Sequence, residues 1–382
     1  MLGLSTPFEQ AKNWLISSGL AVTDKENENC GAVHAYYDHK NKKYGFLYPE
    51  ITGYYISTLR FLYQHEKNEK YLELAKLSAD WLIQIYKKYH GIIMNLDFQK
   101  TEQQLAFSFD TAICAKGLID CYLLANDKKY LEFGEKMVKW ITEKAMTEDG
   151  MIMPFQNLGS NEFMESNDVW YKQKGCFHIK IAIPILQLYD LTKNSNLLDK
   201  AIRICNTYTR FQNKDGSFFI HENSSTVNLH TQCYALEGLL YGYIITQDDA
   251  YLQSCEKALK WSAQKIEADG SISLWFGSKY KSKASYAVAQ LMRLMILLDS
   301  LHKKRDYKNH TDRLHSFLLT LQANYNDPKV YGAFYEEFYK SILGWKIRQK
   351  LNSWGSMFAL ESLKWYETYD NLDFNHSVEY IY

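Results

Sequence analysis

Three acidic residues lie in segments that are otherwise strongly apolar. Glu50 begins the run PEITGYYISTL, Asp110 lies in FSFDTAICAKGLIDCY, and Glu237 lies about one turn into YALEGLLYGY. An enclosed carboxyl group loses solvation, which raises its pKa toward the range of a general acid. Two such groups can break a glycosidic bond, because one protonates the leaving oxygen and the other acts on the opposite face of the sugar. Glu50, Asp110 and Glu237 are therefore the candidate catalytic residues.

Each of these acids also has a structural interpretation. A carboxylate in the first turn of a helix is stabilised by the helix dipole, by roughly 0.3 to 1 kcal/mol, and this interpretation fits Glu50 and Asp110. Glu237 could instead be held in a buried ion pair. The dipole also favours the ionised form of Glu50, which suits a base or nucleophile better than a proton donor.

Aromatic residues and histidines accompany the acids near the starts of the apolar segments. Aromatic rings stack on the C–H face of a pyranose, and imidazoles hydrogen-bond hydroxyl or carboxylate groups. Each ring has core filling as its alternative role. The candidate substrate-binding residues are Tyr54, Trp170, His178, His230, Tyr234, Tyr286 and Trp354.

Metal and cofactor chemistry is not indicated. Cys176 and His178, with His230 and Cys233, could supply zinc ligands, but their spacing matches no known zinc signature. The chain has no Gly-rich phosphate loop, no dinucleotide fingerprint and no G-x-S-x-G nucleophile motif. We expect neither a metal nor a cofactor.

Internal repeats predict the elements that position these residues. Helical segments with a charged face carry two large apolar residues about ten positions apart, close to three helical turns. Trp14 marks a sixth copy near the N-terminus. The pairs are Tyr71 with Trp81, Tyr130 with Trp140, Leu198 with Tyr208, Tyr251 with Trp261, and Tyr307 with Phe317.

Six further helical segments alternate with these and are apolar nearly all round, as a helix enclosed by others must be. Six inner and six outer helices in alternation predict an all-α (α/α)6 toroid, with residues 1–382 forming a single domain. Long loops with short β-hairpins are expected at one mouth, where the N-terminal ends of the inner helices bring the candidate residues together. An open α-solenoid is the competing architecture.

The amino-acid composition argues against nucleic acid and membranes as binding partners. Lys plus Arg and Asp plus Glu both number 44, without blocks of like charge, so the electrostatic signature of a nucleic-acid or membrane-surface binder is missing. No segment approaches the roughly 18 apolar residues of a membrane span, and the first residues do not resemble a signal peptide. The seven scattered cysteines are expected to be reduced. We expect a cytoplasmic protein.

The motifs YPEITGYYISTL, FSFDTAICAKGLIDCY, HTQCYALEGLLYG, SYAVAQLMRLM and NSWGSMFALESL resemble a group of bacterial and archaeal toroid proteins associated with polysaccharide biosynthesis and processing. The resemblance covers nearly the whole chain, and the string from Pro49 to Tyr54 is its most specific part. More distantly, the chain is similar to six-hairpin glycosidases, N-acylglucosamine 2-epimerase and the helical domain of glucuronyl C5-epimerases. The resemblance implies a carbohydrate-active enzyme that acts on an oligosaccharide or polysaccharide, most simply a glycoside hydrolase.

Two other functions stay open. In a uronate C5-epimerase or polysaccharide lyase, Tyr234, Tyr286 or a histidine would abstract a proton next to a carboxylate that Lys180 or Arg293 neutralises. A non-catalytic glycan-binding toroid would use the same mouth without a proton donor. Two carboxyl groups flanking the cleft favour hydrolysis, whereas a Tyr/His/Arg cluster with isolated acids favours epimerisation.

Overall fold

The computed structural model describes residues 5–93 and 105–382, in which twelve long helices alternate between an outer and an inner ring. The outer helices are α1 (Pro7–Ser17), α3 (Glu69–Tyr89), α5 (Lys128–Trp140), α7 (Ser195–Thr209), α9 (Asp249–Ala263) and α11 (Lys308–Thr320). The inner helices are α2 (Pro49–Glu66), α4 (Ser108–Ala125), α6 (Ala182–Thr192), α8 (Leu229–Thr246), α10 (Ser285–His302) and α12 (Ser353–Glu367). A 3₁₀ helix, Cys176–Ile181, leads directly into α6, and the short helix α13 (Phe374–Val378) follows α12.

The ring is closed. Helix α1 packs against α12, so the first outer helix meets the last inner one, and α12 also packs against α2. The predicted (α/α)6 toroid is therefore confirmed, and the open solenoid is wrong. Most of the paired large apolar residues of the outer helices are buried, with Trp14, Trp81 and Tyr208 almost fully so.

The links from inner to outer helices share one local design. The first residue after the inner helix adopts the left-handed conformation, with φ between 51° and 57°, at Lys67, Asn126, Lys193, Gln247 and Lys303. In four of these links the next residue is Asn or Asp, and its side chain caps the following outer helix. This pairing explains how a link of two residues reverses the chain.

The links from outer to inner helices are long and contain the strands. Three hairpin pairs follow the prediction: β1 (Tyr36–Asp38) with β2 (Lys43–Tyr44), β4 (Phe155–Asn157) with β5 (Glu162–Met164), and β9 (Glu337–Ser341) with β10 (Gly344–Ile347). Other pairs join different loops: β11 (Lys350–Asn352) pairs with β1, β3 (Leu105–Phe107) with β4, β6 (Val227–Asn228) with β7 (Trp275–Phe276), and β8 (Ser282–Ala284) with β9. These cross-loop sheets tie together one mouth of the ring. Strands β3, β6, β8 and β11 each end where an inner helix begins.

Buried apolar residues from Phe8 to Tyr382 form one connected core. No helix in residues 5–93 and 105–382 is both long and apolar enough to cross a membrane. All seven cysteines are free thiols.

Candidate active site

Each inner helix contributes its second residue to one pocket at the mouth that carries the strands. The pocket has a volume of about 190 Å³. The six residues in this position are Glu50, Phe109, Phe177, His230, Tyr286 and Trp354, with the 3₁₀ helix standing in for the start of α6. The rest of the wall is Tyr48, Ile51, Phe107, Asp110, Trp170, Tyr171 and Tyr234. Six helix starts converging on one axis thus explain how distant residues become neighbours.

Two glycines bring Glu50 and Asp110 together. Helices α2 and α4 cross with backbone contact, because a Cβ atom added to Gly117 would lie 2.8 Å from the Gly53 carbonyl oxygen. A Cβ atom on Gly53 would in turn lie 2.7 Å from the carbonyl oxygen of Ile113. Both acids lie in the first turns of these two closely packed helices and line the same pocket.

Asp110 is 3% exposed, and its Oδ2 atom has no hydrogen-bond partner among the described residues. Burial raises the pKa of Asp110 well above its usual range, and the negative charge of Glu50 raises it further. Asp110 is therefore the member of the pair that keeps its proton more firmly.

Glu50 is 7% exposed. Burial raises the pKa of Glu50 to about 7, while hydrogen bonds from Tyr48 and Tyr54 and the charge of Lys180 oppose this shift. Burial therefore outweighs the helix-start stabilisation expected from the sequence. Because Glu50 has these donors and a nearby cation, it ionises more readily than Asp110.

His230 is oriented by a hydrogen-bonded chain that starts at Glu237. Gln290 donates through Nε2 to Glu237 Oε1 at 3.1 Å, which leaves the Gln290 Oε1 atom to accept from His230 Nδ1 at 2.5 Å. Burial lowers the pKa of His230 to about 3, so the imidazole is neutral. Its Nδ1–H donates to Gln290, and Nε2 is left as an acceptor.

Aromatic rings form most of the pocket wall. The ring centroids of Phe109 and Tyr234 are 5.0 Å apart, and those of Trp170 and Phe177 are 5.2 Å apart, edge to face. His230 packs between Tyr234 and Tyr286, with centroid distances of 4.2 and 4.6 Å. These contacts fix the rings before any ligand binds.

Three predicted site residues do not line the pocket. Glu237 is 1% exposed and lies in an ion-pair network: Lys180 Nζ is 2.6 Å from its Oε2 and Arg293 Nη2 is 2.5 Å from its Oε1. Tyr54 is fully buried, and its hydroxyl is hydrogen-bonded to the hydroxyl of Tyr234 at 3.1 Å. These residues support the pocket wall.

His178 is the third. It is fully buried, and its Nδ1 accepts from the Gly175 N–H at 3.3 Å. Burial lowers the pKa of His178 to about 3. Its neighbour Phe177 takes the place on the pocket wall, because the wall position is the second residue of each inner helix and His178 is the third.

The ion pairs below the pocket continue across the ring. Arg293 also pairs with Glu361, and its guanidinium lies over the ring of Phe358 at 4.6 Å. Lys180 lies over Tyr234 at 4.2 Å. Burial lowers the pKa of Lys180 to about 8, and the charge of Glu237 opposes the shift. We call Lys180, Glu237, Arg293 and Glu361 the central ionic cluster.

Six wall residues were not predicted from the sequence: Tyr48, Ile51, Phe107, Phe109, Tyr171 and Phe177. Phe109 and Phe177 are the second residues of their helices, so aligning the six helix starts on a common position would have found them. Tyr171 and the aromatic character of Phe107 have no comparable signal in the sequence.

The cysteines next to the pocket are ordinary buried thiols. Cys176 Sγ donates to the Thr231 carbonyl oxygen at 3.7 Å, and Cys233 is fully buried. In residues 5–93 and 105–382, no cluster of three or more His, Cys, Asp or Glu side chains is arranged to hold a metal ion.

Solved structures with the same fold are carbohydrate enzymes by name. Cellobiose 2-epimerase from Bacillus thermoamylovorans B4167 superposes with a TM-score of 0.76 at 14% identity, covering 93% of this chain and 98% of that one. An unsaturated glucuronyl hydrolase specific for heparin gives 0.71 at 14% identity, covering 96% and 98%. An inactive α-1,6-mannanase variant of Salegentibacter sp. HEL1_6, in complex with α-1,6-mannotriose, gives 0.62 at 12% identity, covering 95% and 100%.

No family model matches the chain, and no curated protein sequence does either. At these identities the structural likeness concerns the fold, the six-hairpin (α/α)6 toroid. The fold resemblance predicted from the sequence motifs is thereby confirmed.

Proposed function

We propose that this protein is a carbohydrate-active enzyme that hydrolyses a glycosidic bond, with Asp110 as general acid and Glu50 as the second carboxylate. The observation that carries the proposal is the pair of buried carboxyl groups on one pocket wall, one with a pKa far above its usual range and the other near 7. Such a pair divides the acid and base roles of glycoside hydrolysis at neutral pH.

The roles follow from the surroundings of each group. Asp110 gives its proton to the glycosidic oxygen as the bond from that oxygen to the anomeric carbon breaks. Glu50 either takes a proton from the attacking water or bonds to the anomeric carbon until water releases it. In the first case one proton leaves Asp110 and one arrives on Glu50, so the total charge of the pair is unchanged.

The wall composition favours a neutral sugar. Among the described residues that line the pocket there is no Lys or Arg, whereas aromatic rings supply most of the surface. Lys180 and Arg293, the cations that a uronate substrate would need, are both engaged by Glu237 in the central ionic cluster. The volume of about 190 Å³ lies below that of pockets for drug-sized ligands, which suits a single sugar unit at the base of the pocket.

The same observations weigh against the alternatives. Epimerisation or elimination at a uronate needs a cation beside the substrate carboxylate, and the acids of this pocket are paired and not isolated. Simple glycan binding gives no reason to bury two carboxyl groups against each other, because doing so costs desolvation energy. Hydrolysis makes use of both the pairing of the two carboxyl groups and their burial.

The test is activity on neutral and uronate-containing oligosaccharides, comparing Glu50→Gln, Asp110→Asn and Glu336→Gln. Glu336 is a matched control, because burial raises its pKa to about 7 but it does not line the pocket. Each pocket variant should lose roughly a hundredfold or more in rate of reducing-end release, the usual scale of acid–base participation, while Glu336→Gln keeps its rate.

Three outcomes would contradict the proposal. Normal turnover by Glu50→Gln would leave the carboxylate as a helix-end residue. Deuterium incorporation from solvent at a sugar carbon, without bond cleavage, would indicate an epimerase. Calorimetric binding of oligosaccharides without any product would indicate a binding protein. Proton NMR of the first-formed anomer would also separate an inverting from a retaining mechanism.

A further inference from the structure

The β9–β10 hairpin carries an exposed apolar tip. Ile342 and Leu343 connect the two strands, with Ser341 paired to Gly344, and are 104% and 83% exposed. A Cβ atom added to Gly344 would meet nothing within 4 Å, so the tip stands clear of the rest of the protein. Trp345 on β10, 44% exposed, extends the apolar surface.

This choice of residues contradicts ordinary turn chemistry. Hairpin turns favour Asn, Asp and Gly at their exposed positions, since large aliphatic side chains gain nothing there. Gly344, with φ of 105°, supplies the backbone conformation that the turn needs, so the aliphatic pair is not required for geometry. Three of the eight large hydrophobic residues exposed in the described part of the chain lie on this one hairpin: Ile342, Leu343 and Trp345. A contiguous group of this kind marks a contact surface.

Cations surround the tip. Lys340 and Lys346 flank it on β9 and β10, and Lys279 and Lys281 lie on the segment leading into the adjoining strand β8. All four are exposed, and none has a carboxylate within ion-pair distance among the described residues. The nearby carboxylates are already engaged: Glu337 by Arg348, and Glu267 by Lys283.

We propose that this hairpin docks the protein onto a membrane surface that contains anionic lipids. Apolar side chains at the tip enter the interface, Trp345 lies at headgroup depth, and the four lysines contact lipid phosphates. The charge of the surrounding lysines selects this partner, because a second copy of the chain would bring the same cations against them.

The placement also bears on the pocket. Strand β8, which pairs with β9, runs directly into Tyr286, and β11 runs directly into Trp354. Both residues line the pocket. The hairpin therefore belongs to the same mouth of the ring as the pocket.

The experiment is sedimentation of the full chain with vesicles of phosphatidylcholine, with and without phosphatidylglycerol. Binding should require phosphatidylglycerol and weaken at high salt, since screening reduces the lysine–phosphate attraction. The double variant Ile342→Ser with Leu343→Ser should lose at least tenfold in vesicle partitioning, because each buried aliphatic side chain contributes about that factor. Lys340→Glu with Lys346→Glu should lose the dependence on anionic lipid.

The matched control is Leu123→Ser with Leu191→Ser, two leucines exposed to 43% and 38% near the far ends of α4 and α6. This variant should bind vesicles like the wild type. Quenching of tryptophan fluorescence by brominated lipid should occur in the wild type and be largely lost in Trp345→Phe.

Failure of the wild type to sediment with anionic vesicles at low salt would overturn the proposal, as would unchanged binding by the serine variant of the tip. Dimers in analytical ultracentrifugation that dissociate only in that variant, without vesicle binding, would assign the tip to a second copy of the chain. Melting curves of all variants exclude unfolding as the cause of any loss.

Discussion

Replacing Glu237 by Gln is a direct test of whether this residue positions the site or transfers a proton itself. The change keeps the shape and removes one negative charge from the central ionic cluster. Glu237 accepts from Lys180 Nζ at 2.6 Å, from Arg293 Nη2 at 2.5 Å and from Gln290 Nε2 at 3.1 Å. After the substitution Arg293 keeps Glu361 as its partner, whereas Lys180 keeps no paired carboxylate among the described residues.

The magnitude follows from leaving a buried charge without its partner. Removing one member of a buried ion pair costs about 3 to 5 kcal/mol in the free energy of unfolding. An unfolding entropy of about 2.1 cal/mol/K per residue gives about 0.8 kcal/mol/K for 382 residues. The melting temperature of Glu237→Gln should therefore fall by about 4 to 6 °C.

The double variant Lys180→Met with Glu237→Gln separates charge from packing. Replacing both members of a buried pair by neutral groups of similar volume is often close to neutral in stability. This variant should recover most of the lost melting temperature, measured by differential scanning calorimetry. Lys180→Met alone should be destabilised like Glu237→Gln.

Activity gives the second readout. Glutamine offers one acceptor oxygen in place of two to the same three donors, so Gln290 and with it His230 are held less firmly, and the rate falls by about tenfold. The pH dependence of the rate should stay as in the wild type, because Asp110 still supplies the proton. A Glu237→Gln variant that melts like the wild type but loses a hundredfold in rate, together with the alkaline limb of its pH profile, would refute this reasoning and make Glu237 the acid.

Three further predictions concern the pocket. The value of kcat/KM should rise with pH through about 7 as Glu50 ionises and fall at higher pH as Asp110 loses its proton, and Asp110→Asn should lack the alkaline limb. Gly117→Ala should cost about 1 to 3 kcal/mol in denaturant unfolding, because its new Cβ atom meets backbone of the facing helix at 2.8 Å. Gly134→Ala should cost less than Gly117→Ala, because its new Cβ atom would first meet the Ile119 side chain at 3.0 Å and would lie 3.4 Å from the nearest backbone atom, the Ala115 carbonyl oxygen. Trp354→Ala should raise KM by about two- to tenfold with kcat nearly unchanged, if the ring stacks on sugar.

The fold could be predicted from the sequence because the sequence patterns that indicate it are local and repeated. An aromatic pair recurs about three turns apart on each outer helix, and the inner helices lack a charged face. Each repeat therefore reports the same structure independently, and the closing contact of α1 with α12 follows from counting them. The cross-loop pairing of β1 with β11 could not be predicted, since strands of two or three residues carry too little pattern to identify a partner.

Only some of the site residues could be predicted from the sequence, and the reason is geometric. Sequence patterns locate a helix start to within a residue or two, and one residue turns a helix by 100°. In α8, α10 and α12 the predicted residue was the second of the helix, and it lines the pocket. In the 3₁₀ helix the prediction took His178, the third, and Phe177 occupies the wall instead. Asp110 is also a third residue, and it still lines the pocket.

The partners of buried charges were the least predictable part. Glu237 and Arg293 are 56 positions apart in sequence, and their pairing depends on how the neighbouring inner helices α8 and α10 pack against each other. From its sequence position alone, Glu237 could be an acid catalyst or an ion-pair partner. Only the three-dimensional arrangement gives it Lys180, Arg293 and Gln290 as partners at once.

The net charge of the whole chain also failed to predict a local property of the structure. Equal numbers of acidic and basic residues, 44 of each, argued against a membrane-surface partner. Screening limits the reach of a surface charge to about 8 Å at physiological ionic strength, so a lipid phosphate at the hairpin responds to the nearest lysines and not to the total. At the β9–β10 tip the nearest charges are four exposed lysines, while the carboxylates close by already have partners. A neutral protein can therefore present one cationic, apolar contact surface, and the salt dependence of vesicle binding measures that local charge.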